Sequence, residues 1–205
     1  MSKLRYPWLY YIWDLGGTLL DNYEASTKAF LAALAEIGVV ASHDAVYQAL
    51  RVSTDHAISL FAPGAAGFSA RYRQLEAQQL DFPTLFPGAQ QVLAAVVAAG
   101  GANYLVSHRD DGVYEILRHC GIARYFTEVL TKSSGFARKP SPAAFEHLIA
   151  KYQLPVELTA TVGDRVIDVE AGAAAGIATI YFDAGATCRA ATYSISRLGD
   201  LLESR

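Results

Sequence analysis

The side chains best suited to catalysis stand where short apolar runs of the sequence end. Asp14, Ser107 and Asp164 each close such a run. Asp168 comes four residues after Asp164, which is one helical turn further and therefore on the same face of a helix. Lys139 precedes a proline at the start of another segment. If the apolar runs are neighbouring parallel strands, these groups reach one edge of a sheet, where ligands bind.

Together, these side chains would suit a divalent cation and a phosphate group. Carboxylates that share a site raise one another's pKa values unless they also share a cation. Hard oxygen ligands, with no histidine or cysteine at matching spacing, favour Mg²⁺. A lysine, a hydroxyl group and loop amides beside Mg²⁺ suit a phosphoryl group. An aspartate at a strand end would then attack phosphorus and form an aspartyl phosphate.

Each residue also fits an ordinary structural role when it is taken alone. Asp14 and Ser107 would cap a turn or a helix, and Lys139 would be a solvated surface lysine. Asp164 and Asp168 would be favoured in the first turn of a helix by its dipole. Only the five together, in this order and at one sheet edge, indicate a site.

Apolar runs of strand length alternate with segments of helical spacing over most of the chain. Strands are predicted at 9–13, 103–106, 128–130, 159–162 and 178–182, and helices at 89–99, 111–120, 142–152 and 166–175. This alternation predicts an α/β class with a doubly wound (Rossmann-like) parallel sheet, covered by helices on both faces.

The stretch 22–81 interrupts the alternation with helical patterns only. They cover 24–37, 43–51, 54–61 and 69–80. The pattern predicts an inserted all-helical domain at 22–81 and an α/β core formed by 1–21 and 82–205.

Composition indicates a globular protein and excludes several classes of function. Hydrophobic residues make up 52% of the chain and charged residues 18%, which is enough to bury a core. The net charge of −3 argues against a nucleic-acid partner. Cys120 and Cys188 are too far apart to indicate a disulfide framework or a cysteine zinc site. No apolar run has the length of a signal peptide core or a membrane span, so a cytoplasmic protein without a membrane partner is expected. The oligomeric state is not indicated.

Four short motifs occur in order along the chain. They read Asp14-Leu15-Gly16-Gly17-Thr18, Leu105-Val106-Ser107, Lys139-Pro140 and Gly163-Asp164-Arg165-Val166-Ile167-Asp168. In this order they resemble the motifs of the haloacid dehalogenase-like hydrolase superfamily, in its phosphoglycolate-phosphatase-like branch. The resemblance covers nearly the whole chain, and 22–81 stands in the place of that family's helical cap.

The resemblance implies a Mg²⁺-dependent phosphatase that acts on a small phosphorylated metabolite. Asp14 would be the nucleophile and would share Mg²⁺ with Asp164. The backbone carbonyl of Gly16 would be a further metal ligand, and Asp168 would bind the metal directly or through water.

The resemblance also implies which residues hold the phosphate group. Ser107, the backbone amide of His108 and Lys139 would bind it, and the cap would close over the substrate. Arg51, at the end of the second cap helix, suits a second anionic group of the substrate. Taken alone, it would be a solvent-facing helix cation.

Gly16 departs from the family's first motif, D-x-D-G-T. In the family's phosphatases the second aspartate protonates the leaving oxygen and then activates water. Glycine keeps the carbonyl for the metal but moves no proton, and such a loss typically lowers the rate about 10²–10⁴-fold. His108, which titrates near neutral pH in its ordinary state, would be a substitute, or else a surface histidine that only shapes the pocket. Asp110 and Asp111 lie close by in the sequence and would be further substitutes. Asp21 is more typical of the hinge into the cap.

A glycine at position 16 is also compatible with different chemistry or with none. A good leaving group, as in acyl or aryl phosphates, would make protonation unnecessary. The family's phosphonate hydrolases have a small residue here but need a cap lysine, and Lys28 does not fall at the matching place. Its dehalogenases usually have an aromatic residue here and use no metal. The last alternative is a protein that binds a phosphorylated metabolite or a protein partner without efficient turnover.

Overall fold

The computed structural model describes residues 3–52, 54–79, 83–183 and 185–203. The chain forms two compact units. Met1–Leu20 and Leu85–Arg205 make up one, called the core unit below, and Asp21–Thr84 makes up the other, called the helical unit. The division predicted at 22–81 stays a prediction, and its second boundary falls on residues outside the described part.

One parallel sheet lies in the core unit. Its strands, within the described residues, are β1 Tyr10–Trp13, β2 Ala102–Val106, β3 Phe126–Leu130, β4 Thr159–Gly163, β5 Ala178–Phe182 and β6 Tyr193–Ile195. Their order is β3-β2-β1-β4-β5-β6 and every pair is parallel. The predicted doubly wound α/β fold is confirmed. The short edge strand β6 was not among the predicted strands.

Helices connect the strands and make up the second unit. The helical unit contains α1 Asn22–Glu36, α2 His43–Val52, α3 Thr54–Phe61 and α4 Phe68–Gln79, and the core unit contains α5 Ala89–Ala98, α6 Gly112–His119, α7 Ala143–Tyr152 and α8 Val166–Ala174. Their ends lie within two residues of the predicted ends wherever the residues are described. None of these helices has the length and apolar character needed to cross a membrane.

The sheet is buried on both faces. Successive side chains of β1 point to opposite sides of the sheet and enter two different apolar clusters. Tyr11 and Trp13 belong to one apolar cluster, which includes Val92 of α5. Ile12 belongs to the cluster on the other face, which includes Phe145 of α7. Burial on both faces explains why the central strands are largely apolar in the sequence.

A buried amide ties β1 to its neighbours directly before Asp14. The side chain of Asn103 accepts a hydrogen bond from Nε1 of Trp13 at 2.9 Å. It donates to the backbone oxygens of Leu93 at 3.1 Å and Tyr125 at 3.2 Å. All of the hydrogen-bonding groups of this buried amide face polar partners, so β1 is held rigidly at its carboxyl end.

The helical unit has an apolar core of its own. Phe30 of α1 packs edge-on against Phe68 and Tyr72 of α4, with ring centroids 5.0 and 5.2 Å apart. The hydroxyl groups of Ser26 and Tyr72 donate to Oε1 of Glu76 at 2.5 and 2.7 Å. These contacts join the first and last helices of the unit.

Candidate active site

The carboxyl ends of three adjacent strands position the candidate residues. Asp14 follows β1, Ser107 follows β2 and Asp164 follows β4. Sheet hydrogen bonds continue one residue past the strands: the backbone N of Asp14 donates to the oxygen of Val162, and that of Ser107 to the oxygen of Leu130, both at 2.9 Å. The sheet itself therefore sets where these side chains begin.

The ammonium group of Lys139 lies among these strand ends. Its Nζ donates to Oδ1 of Asp14 at 2.5 Å and to the backbone oxygen of Val106 at 3.1 Å. It also lies 2.5 Å from Oδ1 of Asp168. Lys139 is 6% exposed. Burial lowers its pKa, but the two carboxylates raise the pKa by more, so the ammonium stays charged.

Asp14 is a carboxylate in an unfavourable setting for its charge. Burial raises its pKa, Lys139 lowers it, and Asp168 and Asp164 raise it again, with a result of about 7. A protein carboxylate ordinarily titrates near 4. Lys139 alone therefore does not compensate the acidic groups at this edge, and a further cation would stabilise the ionised form of Asp14.

Asp164 is anchored by the turn that follows β1. Thr18 donates from Oγ1 to Oδ1 of Asp164 at 3.2 Å, and both residues are buried. The turn is closed by a hydrogen bond from the backbone N of Leu20 to the oxygen of Leu15 at 2.8 Å. Gly17, with φ 85°, supplies the left-handed backbone that this turn requires.

Asp168 links the first turn of α8 to Lys139. Its Oδ2 accepts a hydrogen bond from the backbone N of Arg165 at 3.2 Å, while its Oδ1 makes the ion pair with Lys139. The residue packs tightly against the end of β4, because a Cβ added at Gly163 would lie 2.3 Å from the Cβ of Asp168. Only glycine fits there without moving the carboxylate.

Ser107 and His108 form the loop that leaves β2. Oγ of Ser107 accepts a hydrogen bond from the backbone N of Arg109 at 3.2 Å, which leaves its hydroxyl proton able to donate to a ligand. Nε2 of His108 accepts from the backbone N of Lys139 at 2.9 Å. Burial, followed by the charges of Lys139 and Arg138, lowers the pKa of His108 to about 4.

The carboxylates considered as replacements for a missing acid–base group are engaged locally. Asp110 accepts from the backbone N of Gly112 at 3.0 Å. Asp111 accepts from Oγ1 of Thr131 at 2.5 Å. Asp21 belongs to the helical unit, where it caps α1. Each of them therefore has a structural role near its own position.

Arg51 and Lys28 both belong to the helical unit. Arg51 lies in the last turn of α2, and its contact with a substrate stays a prediction. Nζ of Lys28 lies 3.2 Å from Glu24, one turn earlier on α1, and its side chain is 60% exposed. This is an ordinary surface pair.

The donor set at this edge fits Mg²⁺ in part. Among the described residues, no cluster of three or more His, Cys, Asp or Glu side chains could hold a metal ion by itself. Mg²⁺ usually retains several waters and binds through one or two carboxylates together with phosphate oxygens of the substrate. Asp14 and Asp164 supply two such carboxylates, so the residues suit Mg²⁺ bound together with a phosphate.

The sequence patterns indicated no role for Thr18 or for the ring of His108 as a hydrogen-bond acceptor. Thr18 carried a weak signal, since it ends the first motif. The contact between His108 and Lys139 joins residues 31 positions apart, and no local pattern indicates it.

The chain is similar to known proteins over most of its length. Residues 11–182 match the family described as haloacid dehalogenase-like hydrolase. A phosphoglycolate phosphatase from Vibrio parahaemolyticus is 30% identical over 184 residues, which is 81% of this chain and 79% of that protein.

Solved structures agree with this relationship. The crystal structure of a hydrolase from Streptococcus pneumoniae is 52% identical, has a TM-score of 0.78 and covers 85% of this chain and 92% of its own. The structure of a HAD family hydrolase from Deinococcus radiodurans with bound phosphate and sodium has a TM-score of 0.82 at 20% identity, and the match covers 95% of this chain and 93% of that chain. This similarity shows that the two proteins share a fold. From the parallel sheet, the convergence of its strand ends and these similarities, we conclude that the chain belongs to the haloacid dehalogenase-like hydrolase family, in its phosphoglycolate-phosphatase-like branch.

Proposed function

We propose that this enzyme hydrolyses the phosphate monoester of a small metabolite through an aspartyl phosphate on Asp14. The main support is the contact of Lys139 Nζ with Asp14 and Asp168 at 2.5 Å each, in a buried position at the carboxyl edge of the sheet. A buried lysine between two carboxylates holds the nucleophile in one orientation and offers positive charge to an incoming phosphoryl group.

In the first step, the carboxylate of Asp14 attacks phosphorus while the bond from phosphorus to the ester oxygen breaks, and the leaving group departs as its oxyanion. The hydroxyl of Ser107, the backbone amide of His108 and the ammonium of Lys139 would bind the phosphoryl oxygens. In the second step, water attacks phosphorus, the bond to Asp14 breaks, and inorganic phosphate leaves. A strand end that fixes the nucleophile lowers the entropic part of the barrier in the first step, in which Asp14 attacks.

Mg²⁺ would be held by Asp14, Asp164 and the backbone carbonyl of Gly16. Asp168 would reach it through water, since its two oxygens already contact Lys139 and the backbone N of Arg165. When bound, the ion would neutralise charge on the phosphoryl group and on the nucleophile.

Gly16 favours substrates whose leaving group needs no proton. Since this position offers no side chain to protonate an alkoxide, aryl and acyl phosphates should be turned over faster than alkyl phosphates. We assign the helical unit the role of a cap that excludes water, with Arg51 as a candidate contact for a second anionic group.

Phosphate release from p-nitrophenyl phosphate in Mg²⁺ tests this function. Asp14→Asn should abolish turnover, and intact-mass spectrometry of the wild type during turnover should show one added phosphoryl group that is missing in the variant. Asp44→Asn is the matched control, because the side chain of Asp44 is fully exposed in the helical unit. Unchanged turnover in Asp14→Asn would exclude the covalent mechanism.

A second candidate function is a catalytically impaired protein that binds a phosphorylated metabolite or a partner. The absence of a side chain at Gly16 favours it. A panel of phosphorylated metabolites would separate the two functions, with the melting temperature and phosphate release followed in the same wells. Stabilisation without release in every well would support the binding protein.

A further inference from the structure

We propose that the imidazole of His108 is a positioning group that accepts a hydrogen bond from the backbone of Lys139, and that it moves no proton in the reaction. This inference rests on the proposed function, in which Lys139 faces both the nucleophile and the phosphoryl group. In this role, His108 does not replace the acid–base group that Gly16 lacks.

The hydrogen-bonding partner fixes the protonation state of the ring. Nε2 of His108 lies 2.9 Å from the backbone N of Lys139. A backbone N–H can only donate, so Nε2 must be unprotonated, and the neutral ring then carries its proton on Nδ1. A nitrogen that is occupied in this way cannot deliver a proton to a leaving group or take one from water.

The charges around the ring agree with a neutral state. Lys139, Arg138 and Arg165 are the cations that disfavour a protonated ring, and Asp168 is the carboxylate that favours it. Burial acts in the same direction as the cations. Nε of Arg138 lies 3.3 Å from Nδ1, but a neutral ring accepts at one nitrogen only, and the shorter contact is the one to Lys139.

Lys139 needs an anchor at its backbone because its ammonium must stay at one place between Asp14 and Asp168. The ammonium contacts Asp14, Asp168 and the backbone oxygen of Val106. Three partners at fixed places define where the chain must run at residue 139. The ring of His108, carried on the loop after β2, holds that backbone against the same sheet edge.

The kinetic test compares three variants. His108→Ala should lower kcat for p-nitrophenyl phosphate about 10- to 100-fold, because a displacement near 1 Å has effects of this size. His108→Gln should recover most of that loss, since its amide oxygen can accept from the same backbone N. The dependence of kcat on pH should keep its shape in both variants. His119→Gln, an exposed histidine of α6, serves as the control.

Loss of one limb of the pH profile in His108→Ala would overturn the proposal, since that is the signature of a proton-transfer group. An activity of His108→Gln as low as that of His108→Ala in a folded protein would also overturn it.

Long-range ¹⁵N–¹H NMR of the wild-type imidazoles, without substrate, tests the same inference independently of turnover. The His108 signals, assigned by their disappearance in His108→Gln, should show protonated Nδ1 and unprotonated Nε2 throughout pH 5.5–8. A doubly protonated ring near pH 6.5, or a proton on Nε2, would refute the proposal. If the NMR result is as expected but the wild type hydrolyses no phosphate ester, the proposed function is wrong, whereas the role of His108 as hydrogen-bond acceptor for Lys139 is confirmed. This arm does not require His108→Ala to fold.

Discussion

Replacement of Lys139 by methionine should destabilise the protein strongly, and more so at alkaline than at acidic pH. Methionine keeps most of the buried stem but removes the charge that faces Asp14 and Asp168. Two carboxylates then remain at a buried edge with Asp164 close enough to act on the pKa of Asp14. Removal of one partner from a buried ion pair typically lowers the free energy of unfolding by about 3–5 kcal/mol.

The pH dependence follows from the pKa of Asp14, which is raised to about 7 in the folded wild type. A carboxyl group with a raised folded pKa contributes stability at low pH that is lost as pH rises through that value. Each pH unit between the unfolded value and this one corresponds to 1.36 kcal/mol, so the contribution of Asp14 to the stability of the wild type should fall by roughly 3 kcal/mol between pH 5 and 8. The lowered pKa of His108 acts with the opposite sign and offsets part of this loss. Without Lys139 the pKa of Asp14 rises further, and the variant should lose about 1 kcal/mol more over the same range.

Urea denaturation of the wild type and of Lys139→Met, in EDTA at pH 5 and pH 8, measures the free energy of unfolding of each protein at each pH. Lys132→Met is the control, because Lys132 is an exposed lysine near the same loop. A loss of less than about 1 kcal/mol at pH 8 would refute the assignment of Lys139 as the compensating charge of a buried site. A larger loss at pH 5 than at pH 8 would refute the sign of the coupling.

Two further substitutions test neighbouring parts of the site. Gly163→Ala should lower the free energy of unfolding by about 1–3 kcal/mol and reduce turnover, because the new Cβ would lie 2.3 Å from the Cβ of Asp168. Gly199→Ala is the control and should do neither, because nothing lies within 4 Å of a Cβ added there. Equal effects of the two substitutions would contradict the packing argument. Gly16→Asp should raise turnover of alkyl phosphates relative to aryl phosphates by up to about 10²-fold, since Gly16 is not among the residues with a left-handed backbone; an unchanged ratio of the two rates would show that proton transfer is not the missing element.

Much of the fold could be predicted because the sheet is covered on both sides. Its central strands are largely apolar, and a polar residue follows the end of each functional strand. β6 escaped prediction because it has three residues, of which Tyr193 and Ser194 are exposed. β6 is held in the sheet by its parallel pairing with β5, and a pairing between separate segments leaves little pattern in the sequence.

The candidate site could be predicted as a set of residues but not as a set of contacts. Asp14, Ser107 and Asp164 were expected at one sheet edge because strand ends define that edge. The pairing of Lys139 with Asp168, and the role of His108 as an acceptor, depend on loop conformations and on side chains distant in sequence. The catalytic and metal-binding roles of all these residues stay predictions.

The indole of Trp13, hydrogen-bonded to Asn103 directly before the nucleophile, is also a built-in fluorescent reporter. The sequence contains two tryptophans, Trp8 and Trp13, and both belong to the same buried cluster of the core unit. Segment 21–84 has none. Tryptophan emission therefore follows the melting of the α/β unit alone, whereas far-ultraviolet circular dichroism follows the helices of both units. The separation of the two midpoints, with and without phosphate ligands, would measure how tightly the two halves of the enzyme are coupled in folding.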